Sequence, residues 1–224
     1  MPALTAALLL LADSRFPAGA HAHSGSIAAA VEARTVYDEP TLALFLAGRL
    51  ATTGLVAAAA AARAAFLATT PDAITQLRAL DRDVDARTPS AAARDASRAQ
   101  GRGIVRAATV AWPAPVLALV DPRPHAPIAL GLAVVAAGSG PAEAATVAAT
   151  SAVSGPASAA LRLLGLDPFN VAALLARLAP QVDDVAARAV ACADLSVPLP
   201  AGAAPLLDLL AQAHARAEVR LFAS

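Results

Sequence analysis

The 224-residue chain is 58% apolar but only 3% aromatic, so alanine, leucine and valine carry its hydrophobic content. That composition favours helices packed closely through small side chains, and a chain of this length can remove roughly 70–75% of its extended surface from water. Its 17 basic and 17 acidic residues cancel, which removes the global electrostatic argument for binding nucleic acid or an anionic membrane surface.

Every basic residue is arginine. Without lysine there can be no Walker-type phosphate loop, which needs an ammonium on the nucleotide phosphates, and no Schiff-base catalysis. The single cysteine, Cys192, can make neither an intrachain disulfide nor a multi-cysteine metal site, so a cytoplasmic location is expected. The start, MPALTAALLLLADSRF, lacks a basic region before its apolar run and is a poor signal peptide. The uncharged windows Pro124–Ala142 and Ala144–Leu161 approach spanning length but consist largely of Ala, Gly, Ser and Pro, which predicts buried helices and no membrane partner.

In chain order, helices are expected near 3–12, 24–34, 39–68, 71–86, 89–110, 127–137, 141–164, 168–178, 180–194 and 203–221. Prolines mark several starts, because a residue without an N–H costs nothing in the first helical turn. Thr70-Pro71, Thr88-Pro89 and Asp167-Pro168 each read as a capping side chain followed by proline at the first helical position, with Asp38-Glu39-Pro40 and Gly140-Pro141 as looser versions. Leu42, Phe45, Leu46 and Leu50 form an apolar stripe, as do Ile74, Leu77, Leu80 and Val84. The run Ala57–Ala62 belongs in the middle of a helix. Two segments, Asp13–His23 and Ala111–Ala126, look irregular, the second dividing two halves of one bundle. The expected architecture is an all-α, single-domain bundle of about ten helices over residues 1–224.

Few side chains could support catalysis. His21 and His23, with Asp13 and Ser24 nearby, raise the prospect of a triad or a metal site. Ala-His-Ser-Gly-Ser does not match the nucleophile-elbow pattern, and a His–Ser pair at a helix start is more often a cap. No further ligand cluster follows, so His21 and His23 are at most transient metal ligands. The charged stretch Leu80–Arg106 has two readings. In one, Asp81 and Asp85 pair with Arg78 and Arg82 on a solvated helix pair. In the other, which we favour, Arg94, Arg98, Arg102 and Arg106 line one face at i, i+4 spacing and meet an acidic partner. Near the end, Leu206, Leu207, Leu209 and Leu210 precede His214 and Arg220-Leu221-Phe222, so residues from about 212 to 224 read as a tail that anchors another protein.

Several ordered motifs resemble the UreF family of urease accessory proteins, and together they span essentially the whole chain. LLLLADSRFPAGAHAHSGSIAAAVE is similar to the family's opening pattern, with Asp13, Ser14, Phe16, Pro17, Gly19, His23 and Ser24 in register. RDASRAQGRGIVR resembles its middle motif, which carries Gln100, Gly101 and Arg102; HAPIALGLAV resembles its His-x-Pro-x-x-x-Gly segment; HARAEVRLFAS resembles its closing motif. His21, Ser26-Ile27-Ala28, Ala215 and Ala223 depart from the family pattern.

The resemblance implies an all-helical, usually dimeric protein with no catalytic activity established for it alone. Its partners would be UreD (also called UreH), the GTPase UreG and the urease apoenzyme, with nickel and GTP handled by those partners and no cofactor of its own. Arg220, Leu221 and Phe222 would dock on UreD, while the Asp13–Gly25 segment and the Arg94–Arg106 face would serve the dimer or the GTPase. The expected function is a scaffold for nickel insertion. One alternative is a GTPase-activating protein that lends an arginine to UreG. More distant ones are a helical DNA-binding regulator using Leu80–Arg106, against which zero net charge argues, and a hydrolase at His23–Ser24.

Overall fold

The computed structural model describes residues 5–13, 16 and 25–216. Among these, all regular structure is helical: α1 (Ala6–Ala12), α2 (Ile27–Glu32), α3 (Glu39–Arg49), α4 (Leu55–Leu67), α5 (Ala73–Ala86), α6 (Ala91–Ala111), α7 (Ala126–Ala136), α8 (Pro141–Leu164), α9 (Pro168–Val190) and α10 (Pro205–Arg216). The all-α bundle expected from composition is what forms.

The alanine run places α4 at the centre, packed against α7, α8 and α9. Ala58 to Ala62 are completely buried. Small side chains let the backbones approach: a Cβ on Gly131 of α7 would lie 2.4 Å from the Ala61 carbonyl oxygen, so only glycine fits that crossing. Arg63, also buried in α4, donates through Nε and Nη2 to the Cys192 carbonyl at 2.9 and 2.7 Å and through Nη2 to Asp194 and Val197. It thereby holds the chain that leaves α9, where helix-end carbonyls lack intrahelical partners.

A π-helical turn, Leu50–Gly54, joins α3 to α4 without a break. The resulting rod, Glu39–Leu67, is the described helix long and apolar enough to cross a bilayer by length and hydropathy; its α4 half is enclosed by three other helices. The two uncharged windows fall on α7 and α8, which both pack on α4 as expected.

Capping explains several boundaries. Asp38 accepts from the Thr41 amide at 2.9 Å while the Thr41 hydroxyl accepts from the Asp38 amide at 3.1 Å, a reciprocal cap stronger than the looser start expected there. Asp167 caps α9 through the Phe169 amide, as expected. Thr70 and Thr88, by contrast, close the preceding helices, donating to Leu67 and Val84 carbonyls, and α6 is capped by Ser90. The break expected between 178 and 180 is absent. Pro180 removes one N–H whose carbonyl partner, Ala176, is exposed to water, while Val171, Leu174, Leu178, Val182 and Val185 continue an unbroken buried stripe.

Candidate functional site

The charged stretch that drew attention in the sequence folds into a polar junction between α5, α6 and the entry to α7. Asp81 and Asp85, four residues apart, lie on one face of α5. Arg98 on α6 meets both: Nη2 donates to Asp81 Oδ2 and Asp85 Oδ2 at 2.7 Å each, and Nη1 donates to the Arg123 carbonyl at 2.7 Å. His125, fully buried, completes the junction. Its backbone N–H donates to Asp81 at 3.0 Å, its Nε2 lies 2.9 Å from Asp85 Oδ1, and its Nδ1 lies 2.9 Å from Ser97 Oγ, which also accepts from the Ala126 amide.

The neutral ring can satisfy every group. A carboxylate can only accept, so Nε2 carries the proton and donates to Asp85, leaving Nδ1 to accept from the Ser97 hydroxyl. The direction of the His125 pKa shift favours this neutral form. Burial, the largest influence, pushes its pKa below the ordinary value, although the Asp85 hydrogen bond pulls the other way. Burial opposes ionisation of Asp85 as well, but hydrogen bonds from His125 and Arg98 outweigh it and hold that carboxyl below its usual range. Ser97 and Asp81 also satisfy the first free amides of α7, whose positive end favours an acidic neighbour.

Asp81, Asp85 and His125 are close enough together to ligate a cation. The donor set does not fit one: a metal would have to displace the Arg98 guanidinium and take the lone pair that Nε2–H lacks. The arrangement acts as a three-helix clasp.

Next to the clasp lies a cavity of about 490 Å³ between α1, the π-helical turn, α6, α7, α8 and α10. Leu11, Ile104, Leu130 and Leu207 give it apolar walls, and Gln100 and Arg49 contribute polar groups. Arg49 is fixed by the chain's own geometry. Pro156, inside α8, cannot donate to the Ala152 carbonyl four residues earlier, and Arg49 Nε supplies the missing bond at 3.1 Å. Its Nη1 donates to the Gly25 carbonyl at 3.1 Å. Gly25 itself has φ +60°, and a Cβ there would come within 3.0 Å of Pro156 and 3.2 Å of the guanidinium, so glycine is required. Burial brings the Arg49 pKa down to about 10, which leaves it charged at neutral pH.

The expected site residues are distributed unevenly over this framework. Phe16 lines the cavity and stacks on Trp112 with ring centroids 5.8 Å apart, joining the opening motif to the end of α6. Gln100 faces the cavity. Gly101 marks the closest approach of α6 to the entry of α7, since a Cβ there would lie 2.0 Å from the Pro124 carbonyl oxygen. The four expected arginines do not behave as one face. Arg94 donates to the Thr88 and Pro89 carbonyls at 2.7 and 2.9 Å, and Arg98 belongs to the clasp, whereas Arg102 and Arg106 are exposed. His214 is buried in α10, and Gln212 meets Ser90 Oγ at 3.1 Å, so the beginning of the expected tail is packed on α6. Pro17, Gly19, His21, His23, Ser24, Arg220, Leu221 and Phe222 lie outside the described residues.

Sequence reasoning passed over His125 as a functional residue, and the less favoured of its two readings, which paired Asp81 and Asp85 within the chain, named Arg78 and Arg82 where the structure has Arg98. Arg78 pairs instead with Asp121 at 3.2 Å. The available signal was the histidine immediately before a helix start in an apolar segment, a position where a buried imidazole must find partners. Arg49 carried no signal of its own, because its role depends on a proline more than a hundred residues away.

Residues 36–179 match the family model for UreF. Over 220 residues the chain is 47% identical to the urease accessory protein UreF of Mycobacterium sp. (strain JLS), covering 97% of each chain. It is 45% identical over 220 residues to that of Mycolicibacterium vanbaalenii, covering 98% of each. Against the protein of Mycobacterium tuberculosis strain H37Rv it is 42% identical over 222 residues, again with 98% of each covered. Clasp, cavity and close-packed glycines thus sit within a sequence match that runs nearly end to end, and the chain belongs to the UreF family of urease accessory proteins.

Proposed function

We propose that the chain works as a cytoplasmic scaffold, without catalysis or a resident cofactor, that brings UreD/UreH and the GTPase UreG to the urease apoenzyme so that nickel is inserted as cargo. A homodimer is the expected working unit. The observation that carries this reading is the outer stripe of α10. Leu206 and Leu209 are 56% and 68% exposed and continue to Ala213 and Arg216 at helical spacing, while Leu210, Ala211 and His214 face inward. An outward leucine stripe ending in arginine, leading into residues 217–224, has the composition of a docking element, since burying each leucine contributes about 1.5–3 kcal/mol. A scaffold needs a second face. Tyr37, Leu44 and Phe169, which are 62%, 75% and 83% exposed, supply further apolar positions for one.

Co-expression with tagged UreD and UreG, followed by sizing of what co-purifies, tests this. Either removing residues 217–224 or changing Leu206 and Leu209 to Asp should abolish the UreD complex with little change in helicity; unimpaired co-purification overturns the docking role. The exposure of Arg102 and Arg106 on α6 favours one second reading, in which the chain stimulates UreG by lending an arginine to its nucleotide. A GTP hydrolysis rate unaltered by addition of the protein removes that reading and leaves the scaffold.

A further inference from the structure

The cavity beside the clasp holds a cation that packing places but that no carboxylate among the described residues compensates. Its 490 Å³ falls within the range of small-molecule sites, and its walls are mainly apolar. Among the described residues, each of its other charged groups has a partner. Arg87 sits 3.4 Å from Asp83 and also donates to the Pro200 carbonyl, Asp208 accepts from the Ser90 amide, and Asp13 is engaged by a partner of its own. Arg49 differs. Among the described residues no carboxylate pairs with it, and its two hydrogen bonds go to neutral carbonyls. Those bonds use Nε and Nη1 of a group with five donors, and they fix the guanidinium in place against Gly25 and Pro156.

We infer that this cavity is a binding site for a small amphiphile with an anionic head, of which a medium-chain carboxylate is the simplest example. The carboxylate would take the remaining Arg49 donors, and the alkyl chain would lie along Ile104, Leu130 and Leu207. The physical reason is that a partly desolvated cation held only by carbonyls gains most from a ligand that brings a compensating negative charge in bidentate geometry. Arg49 is also preorganised, so little rotamer freedom is lost on binding. Nothing in this inference depends on the scaffold role.

Titration of the full-length, methyl-labelled protein with octanoate, octan-1-ol and octylamine, followed by NMR at the Ile104, Leu130 and Leu207 methyls, tests it. Octanoate should shift all three saturably at one equivalent. Octanol should bind at least about tenfold more weakly, the loss expected for a hydrogen bond to a charged group, and octylamine weaker still. Arg49→Gln should bring octanoate down to the octanol level, and Ala57→Leu, which fills the cavity from α4, should weaken both. The wild-type series decides by itself if Arg49→Gln fails to fold. Equal affinity for octanoate and octylamine, no saturable shift at these methyls, or octanoate binding retained by a folded Arg49→Gln protein would each overturn the assignment.

Discussion

Substituting Gly101 with alanine should separate the effect of a close backbone approach from that of helix propensity. The added Cβ would stand 2.0 Å from the Pro124 carbonyl oxygen and 3.0 Å from the backbone carbons of Pro124 and His125. A relaxed carbon–oxygen contact is about 3.3–3.6 Å, so the 124–125 backbone must retreat by more than ~1 Å. That backbone is anchored by the Arg98 bond to Arg123, the Asp81 bond to the His125 amide at 3.0 Å, and Ser97 on the Ala126 amide at 3.1 Å. Overpacking costs ~1–3 kcal/mol and each lost hydrogen bond about 1 kcal/mol, against a helix-propensity gain of about 1 kcal/mol. The net loss is about 2–3 kcal/mol, which for a chain of this size lowers Tm by roughly 5–10 °C. Gly48→Ala, in α3 with nothing within 4 Å of the new methyl, should behave oppositely and raise Tm by roughly 2–4 °C. Thermal and urea unfolding of the two variants beside wild type measure this. A Gly101→Ala protein as stable as wild type would refute the packing argument.

The remaining expectations concern the clasp and the exposed arginines. Because burial depresses the His125 pKa, the unfolded state binds more protons from about pH 6.5 downward; stability should fall as pH drops through that window, and again at lower pH where Asp85 protonates. His125→Gln should flatten the upper part of that profile in urea midpoints measured from pH 7.5 to 5, and an unchanged slope would contradict the neutral imidazole. Arg98→Leu leaves Asp81 and Asp85 facing each other without their shared guanidinium. The pair is partly exposed, which reduces the penalty to about 1–2 kcal/mol at neutral pH, and the loss should shrink in acid; a pH-independent loss would point to packing alone. Arg102→Glu with Arg106→Glu should change stability by less than about 0.5 kcal/mol, since both side chains are exposed. If α6 meets the GTPase, the same double variant slows association most at low salt in a stopped-flow experiment; identical rates would dissociate α6 from that contact.

Much of the fold was legible because its causes are local. Alanine content, proline at helix starts and the apolar stripes of α3 and α5 placed most elements within a few residues. Thr70 and Thr88 were misassigned because a threonine before proline serves equally well to close the preceding turn, and nothing local separates the two roles. Helix α9 was divided at Pro180 because the sequence does not reveal that Ala176 and Pro180 both lie at exposed positions. The clasp was half visible: Asp81, Asp85 and Arg98 were singled out as charged, but their pairing crosses between helices.

Residue type and order alone therefore determined an all-helical chain without lysine-dependent phosphate chemistry, a central alanine-rich helix and a sequence of motifs resembling one family. These follow from side-chain size, backbone propensity and the presence or absence of particular functional groups. Packing decided which arginines are consumed inside the chain and which reach solvent, why Gly101 and Gly131 must lack a side chain, and how Arg49 comes to complete a helix that Pro156 interrupts. Those outcomes depend on distances between residues remote in the chain, and hydrogen bonding at about 3 Å has no counterpart in sequence spacing.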